Sequence, residues 1–417
     1  MTDVVVIGAG LAGLTAATRL AQAGRTTLLI SFGVGGLHLS PGVVDVLGYA
    51  PTLVTRPLEA VADVAPDHPY RQLGADRVAA ALGWLRQTVG DDWFVGDIAH
   101  NVLLPTAVGA FRPTALAPQT MAAGAVRDGM RYVIVGLRAL KDFHAGLVAA
   151  NLARTVVPGG GAVTARSITL TANPRPGEAD VSPVAFARAM DDGRFATTLA
   201  AELAPLVRDG ETVGMPAVLG RRDASAVWSA LQEQIGAPLF EIPTPPPSLA
   251  GMRLGDRLTS ALNAAGGRIV MGSQVTGVTH HGGRITAVTA DTAGRERHYE
   301  TRSVVLAAGG FESGALAVDS SGAVRERVRD LPLVGLPADG SPPFAPDYWA
   351  EHPLFRAGVA VDPTMRPVGP DGAPVYENLY AVGGLLAGAV RWREKSGEGI
   401  ALASALAAAD SIIEGDL

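Results

Sequence analysis

Asp3-Val4-Val5-Val6-Ile7-Gly8-Ala9-Gly10-Leu11-Ala12-Gly13-Leu14 stands near the start of the chain, and its reading decides the fold. An apolar run leads into a glycine turn and then into an Ala/Leu-rich helix, Leu14 to Ala23. A second apolar run, Thr26 to Ser31, comes where a βαβ unit needs its next strand. Each glycine answers a physical demand. Gly8 makes the tight turn, Gly10 lets a pyrophosphate approach the backbone, and Gly13 lets helix and strand pack closely. The helix N-terminus, at Leu11 and Ala12, offers free N–H groups and a positive dipole end to an anion. The pattern predicts a dinucleotide-type α/β fold.

The end of the second strand departs from that pattern. An acidic residue there normally holds the ribose hydroxyls of an adenosine. Here Leu28-Leu29-Ile30 is followed by Ser31-Phe32-Gly33, so a serine stands in the acid's place. The phosphate cradle is complete and the adenosine anchor is weakened.

Composition sets the outer bounds. At 417 residues the chain has enough length for two domains, and 48% hydrophobic with 18% charged residues marks it as globular. No run of about 18 apolar residues suggests a membrane span. The first residues carry Asp3 and no basic region, so no signal peptide is expected. A mean hydropathy of +0.24 fits either a partner-facing surface or plain alanine richness. The net charge is −6 and the lysines are Lys141 and Lys395 alone, which excludes a basic nucleic-acid stripe. The absence of cysteine excludes disulfides, thiolate metal sites and cysteine-ligated iron–sulfur clusters within this chain. The histidines show no metal-ligand spacing, and His280-His281 before Gly282-Gly283 reads as a hairpin turn. No metal is expected.

Two further glycine turns recur along the chain. Helical patterns cover Ala75 to Val89 and Pro183 to Met190, running on past Thr198; short strands are expected at Tyr132 to Leu137 and Ala162 to Leu170. Pro243-Thr244-Pro245-Pro246-Pro247-Ser248 marks a rigid break. A helix from Leu254 to Ala265 and a β-meander (Arg268 to Val270, Gln274 to Thr279, Arg284 to Ala290, Arg297 to Thr301) then feed the strand Ser303 to Leu306 and the turn Ala307-Ala308-Gly309-Gly310-Phe311. Asn378 to Val382 ends in Gly383-Gly384, and Gly397-Glu398-Gly399-Ile400 precedes an alanine-rich helix, Ala401 to Ile412. Three strand–glycine–helix junctions in this order suit a flavin. The reading is a two-dinucleotide-binding, Rossmann-like flavoprotein fold with an inserted α+β substrate or partner domain. The flavin domain is expected from residues 1–50, 251–317 and 356–417, and the inserted domain from 51–250 with 318–355.

With these pieces in place, the chain resembles a specific family, the B subunits of anaerobic glycerol-3-phosphate dehydrogenase, over nearly its whole length. The matching residues are the Val6–Leu14 turn, Leu37-His38-Leu39-Ser40-Pro41-Gly42-Val43-Val44-Asp45, His68-Pro69-Tyr70, Val135-Gly136-Leu137 with Asp142-Phe143, and Met215-Pro216-Ala217. The proline run with Gly251 and Arg253-Leu254, Ala308-Gly309-Gly310-Phe311 and Glu377-Asn378-Leu379-Tyr380-Ala381 complete the set. The resemblance implies oxidation of sn-glycerol 3-phosphate to dihydroxyacetone phosphate, with electrons passing toward a membrane quinone pool. It implies two partners, an iron–sulfur subunit with membrane contact and a second flavoprotein subunit. It places the chain in the cytoplasm, at the inner face of the membrane through those partners. The family's B subunit is assigned FMN, which agrees with Ser31 because FMN has no adenosine to hold; FAD, with backbone contacts near Val275, is the alternative. Two departures stand out: Gly384 replaces an acid that many flavoproteins of this fold set on the ribityl chain, and Gly397-Glu398-Gly399 replaces a more glycine-rich loop.

The expected flavin contacts are therefore Gly8, Gly10, Leu11, Ala12, Gly13, Ser31, Phe32, His38, Ser40, Val275, Ala308, Gly309, Gly310, Gly383, Gly384, Gly397, Glu398, Gly399 and Ile400. In the related fumarate reductase-like fold a Ser-His-Thr element near His38 tethers the flavin ring, so His38 is either a non-covalent flavin contact or a structural histidine of the turn. A phosphate monoester calls for arginines, whose planar guanidinium matches phosphate oxygens in two-point contact. Arg253 is the first candidate, followed by Arg112, Arg366, Arg391 and Arg393. No residue declares itself as the catalytic base, so substrate oxidation by a partner with electron relay here stays open. Two other readings also stay open: an independent flavoenzyme acting on an amine or a double bond, and a scaffold that has lost its flavin.

Overall fold

The computed structural model describes residues 2–415 and divides the chain into two compact units. Unit 1 comprises the residues up to Gly36, Asp45–Val89 and those from Asp256 onward; unit 2 comprises Leu37–Val44 and Gly90–Gly255.

Unit 1 is built on a seven-stranded sheet. Its strands are β1 (Thr2–Ile7), β2 (Thr27–Ser31), β3 (Arg268–Met271), β4 (Ser273–His281), β5 (Arg284–Thr292), β6 (Arg295–Leu306) and β7 (Leu379–Ala381), in the order β3-β2-β1-β6-β5-β4 with β7 also on β6. Val4, Val5 and Val6 of β1 are fully buried, as expected of a central parallel strand covered on both faces. β6 belongs to two patterns. Residues 295–300 pair antiparallel with β5, whereas 301–306 pair parallel with β1. The two separate strands expected there are thus one strand of 12 residues. The β4–β5 hairpin turns on Gly282 (φ 56°) and Gly283 (φ 78°), the two positive angles that a type I′ turn requires.

Helix α1 (Leu11–Gln22) packs against α3 (Gly397–Glu414), which also packs on α2 (Pro69–Val89). This contact explains why residues 51–89, expected in the inserted part, cluster with unit 1. Tyr70 fixes it: its buried hydroxyl donates to Val46 O at 2.5 Å and lies 3.2 Å from Ser396 O. Residues 318–355 also cluster with unit 1.

Unit 2 holds a four-stranded parallel sheet, Leu239–Ile242, Thr212–Pro216, Arg131–Leu137 and Thr164–Leu170 in that order. Small antiparallel pairs (Val102–Pro105 with Phe111–Thr114, Phe94–Val95 with Ala117–Pro118) complete its mixed α and β content. The long helix expected beyond Pro183 is two helices, Pro183–Asp191 and Arg194–Leu203, because Gly193 takes φ 77° between them.

Candidate functional site

The C-terminal ends of four strands of unit 1 lie in register. Ile7 pairs with Ile30 and with Leu306, and Leu306 pairs with Ala381. The ladder runs one step further through Gly8 N to Ile30 O (2.8 Å), Ala307 N to Ile7 O (2.9 Å) and Val382 N to Leu306 O (3.1 Å). All three glycine turns therefore leave the same edge of the sheet, the edge at which ligands of open α/β sheets bind.

The turns also touch one another. A Cβ at Gly8 would strike Ala307 O, and one at Gly13 would strike Gly8 O. At Gly383 it would stand 2.8 Å from the Ala12 Cβ, and at Gly310 2.6 Å from Gly384 O. These glycines are demanded by the chain's own packing. Gly10 is different. Its φ is −76°, and a Cβ would meet nothing nearer than Gly36 N at 4.0 Å. No side chain caps α1, so its first-turn N–H groups are left for an anion. A phosphate-bearing cofactor fits the open side of this turn.

Other expected contacts have structural partners. The Ser31 hydroxyl accepts from Ala9 N (3.2 Å) and donates to Gly33 O (2.7 Å), so it ties the loop to the turn and is not a free ribose ligand. Gly35, which no sequence motif marks, has φ +72°, and its Cβ would lie 2.5 Å from Gly10 N. That contact lays the 33–36 loop on the turn and leaves the Phe32 ring 74% exposed. Gly399 donates its N–H to Asp45 O (2.9 Å), and a Cβ there would stand 3.1 Å from the Val46 Cα and would also strike the Tyr70 hydroxyl. Burial pushes the Tyr70 hydroxyl well above its ordinary pKa, and the carboxylates of Glu398 and Glu394 add to this. The third N–H of α3 is thus committed to the protein. Ile400 is buried, a Cβ at Gly397 would stand 3.7 Å from the Arg391 Cβ, and Val275 is half-buried in β4 at the edge of the sheet.

At Gly384, where an acid is missing, a Cβ would be 3.1 Å from Gly310 N, a tight approach. A carboxylate nevertheless reaches this place. Glu312 holds Arg391 at 2.6 Å, and the Arg391 Nη2 would be 2.7 Å from a Cβ at Gly310. Glu312 was not legible in the sequence, because it follows its turn with no motif of its own.

The arginines separate. Arg253 is 3% exposed and lies in unit 2, with Nε on Gly220 O (2.7 Å) and both Nη atoms on Glu241 (2.6 and 3.0 Å). Every guanidinium nitrogen is engaged, which corrects its assignment as the leading phosphate ligand. Arg366 pairs with Asp362 (2.8 Å) and the exposed Arg393 with Glu351 (3.1 Å). Arg112 lies in the Phe111–Thr114 strand of unit 2. Within unit 1, Arg391 adjoins the glycine turns.

His38 and Ser40 fall in unit 2. The reason is a clamp. His38 O accepts from Ser248 N (2.8 Å), a Cβ at Gly251 would strike Leu37 O, and Gly42 (φ +74°) presses on Ala250. The His-x-Ser-x-Gly element and the proline run, more than 200 residues apart, are thus one packed structure.

The chain is similar to known proteins over nearly its whole length. The FAD binding domain family matches residues 3–400. A probable B subunit of anaerobic glycerol-3-phosphate dehydrogenase from Halobacterium salinarum is 35% identical, covering 99% of this chain and 98% of its own length. B subunits of the same enzyme from Yersinia enterocolitica (32% identical, 99% and 98% covered) and Pectobacterium carotovorum (30%, 100% and 99%) are also similar. Among solved structures, a 3-ketosteroid Δ1-dehydrogenase from Sterolibacterium denitrificans covers 99% of both chains at 12% identity with a TM-score of 0.47. No helix among the described residues is long and apolar enough to cross a membrane.

Proposed function

Because the chain belongs to the FAD binding domain family and, within it, to the B subunits of anaerobic glycerol-3-phosphate dehydrogenase, we propose that this flavoprotein oxidoreductase serves the oxidation of sn-glycerol 3-phosphate to dihydroxyacetone phosphate. It works with an iron–sulfur subunit, which passes electrons to a membrane quinone, and with a second flavoprotein subunit. A bound flavin supplies the two-electron acceptor that a secondary alcohol needs to lose a hydride. The chain's own part is to hold and orient. Gly10 and the first turn of α1 take the phosphate, the paired turns at Gly310 and Gly384 form the adjoining wall, and Arg391, fixed by Glu312, brings a positive charge beside them.

The observation that carries this reading is Gly10, a glycine that neither φ nor packing requires, at the edge where three glycine turns meet. FAD is the flavin named by the matched family. A second reading, FMN, is favoured by Ser31, whose hydroxyl is used within the protein where an adenosine anchor would stand. A visible spectrum of the purified chain, then denaturation and chromatography of the released flavin, separates them. Released FAD is the expected result, FMN supports the second reading, and no flavin after reconstitution with either overturns both. With glycerol 3-phosphate and an artificial acceptor, the chain alone is expected to be inactive and the assembled enzyme active. Activity of the isolated chain would place the substrate here and remove the relay.

A further inference from the structure

The His68-Pro69-Tyr70 stretch has no role in the function above, yet it packs against the turn that carries Arg391, and both lie in unit 1. His68 is 4% exposed, and its Nδ1 accepts from Tyr70 N at 3.1 Å. A main-chain N–H can only donate, so Nδ1 carries no proton and the ring N–H is at Nε2. That N–H donates to Glu394 Oε2 at 3.1 Å. Glu394 passes the constraint on. Its Oε2 also accepts from Ser396 Oγ (2.9 Å), and its Oε1 accepts from Val390 N (2.9 Å), the donor just before the one-turn helix Arg391–Glu394. The far end of that helix is pinned separately, because Glu394 O accepts from Gly48 N (2.8 Å) and Tyr49 N (3.0 Å). The near end, next to Arg391, is closed by the Glu394 carboxylate that His68 holds.

Arg391 leaves this turn toward the glycine edge, where its Nη2 stands 2.7 Å from the place of a Cβ at Gly310. Glu312 holds the guanidinium end, but that acid is 60% exposed. An ion pair with so exposed a carboxylate contributes less than the rotamer entropy an ordered arginine loses. The stem must be fixed from its other end, by the turn. We propose that His68 is a positioning residue of the flavin site: through Glu394 it closes the Arg391 turn, and so keeps the guanidinium charge on Gly310, beside the flavin that this chain is proposed to hold. A positive charge there favours the reduced flavin, which has gained negative charge.

Two readouts on the full-length chain test this role. In the flavin-free chain, nitrogen NMR follows the Arg391 Nε–H signal, assigned by its loss in Arg391→Met. The signal should shift in His68→Leu and return in His68→Gln, which again offers an N–H to Glu394. With flavin bound, Arg391→Met should disfavour the reduced form about tenfold, a fall of about 30 mV in the two-electron potential. His68→Leu should reproduce that fall and His68→Gln should not. His68→Leu combined with Arg391→Met should fall no further than Arg391→Met alone. Should His68→Leu not fold, Glu394→Gln takes its place, because its amide must set an N–H against either His68 or Val390. A histidine that only stabilised unit 1 would lower the melting temperature and leave the potential unmoved. An unmoved Arg391 signal, an unchanged potential in His68→Leu, or additive falls in the double variant would each overturn the role. If the chain holds no flavin, the flavin reading fails and the Arg391 signal decides on His68 by itself.

Discussion

The glycine edge of unit 1 and the Arg253 corner of unit 2 are both buried junctions that tie distant strands and helices together, yet they rest on opposite physics. At the glycine edge, backbone lies on backbone, and the junction exists because side chains are missing at Gly8, Gly13, Gly310 and Gly383. At the Arg253 corner, a charged side chain reaches across to Glu241 and Gly220, and the junction exists because polar groups are fully matched. The first kind of junction leaves a surface that a ligand can use, as at Gly10. At the second, each guanidinium nitrogen and both carboxylate oxygens are already engaged.

The comparison breaks most readily at Arg253. Arg253→Ala would leave the Glu241 carboxylate buried and uncompensated, so unit 2 should lose about 3–5 kcal/mol in denaturant unfolding. A stable variant with only a raised KM would return Arg253 to substrate binding. Next come the two helix-start glycines. Gly13→Ala forces a Cβ onto Gly8 O and should cost about 3 kcal/mol. Gly10→Ala should cost about 1 kcal/mol or less, the difference between glycine and alanine as an N-cap, while flavin content falls sharply. Equal flavin loss with equal destabilisation in both would remove the distinction between packing glycine and ligand glycine. Ser31→Ala deletes two hydrogen bonds to main-chain groups and should cost about 1 kcal/mol, with the released flavin unchanged in identity.

The smallest effect concerns pH. Burial alone would raise the Glu394 carboxyl, but bonds from the His68 ring (3.1 Å), Val390 N–H and the Ser396 hydroxyl outweigh it and hold the pKa below its ordinary value. Asp362 is likewise lowered: the Thr364 hydroxyl and the Arg366 N–H groups outweigh burial. A carboxyl depressed in the folded state stabilises it above the unfolded pKa, and that contribution disappears as pH falls through the folded value. Melting temperature should therefore decline on acidification below about pH 4.5, the ordinary glutamate value, and Glu394→Gln should flatten part of that decline. An unchanged acid profile in the variant would show that the His68 contact carries no linkage.

The opening βαβ unit and the three glycine turns were legible because their spacing is local: a strand, a turn and a helix start occupy neighbouring residues. The hairpin at Gly282-Gly283 was legible for the same reason. Arg253 misled because composition shows only that an arginine follows a proline run, whereas its partner Glu241 sits on a strand whose approach depends on tertiary packing. The split at Gly193 was hidden because one glycine inside an alanine-rich helical pattern reads as a tolerated weakness. Glu312 and Gly35 act only once the turns they adjoin have been brought together.

The two-part pairing of β6 has a consequence for how the chain is made. Val4 finds its neighbour in Ser303, so the central strand lacks one flank until about 300 further residues have been synthesised. At typical translation rates that interval lasts about 15–60 s, during which Val4-Val5-Val6-Ile7 presents an open, apolar edge beside β2. The nascent protein should therefore depend on a chaperone that holds early strands, and chains truncated before Arg295 should aggregate.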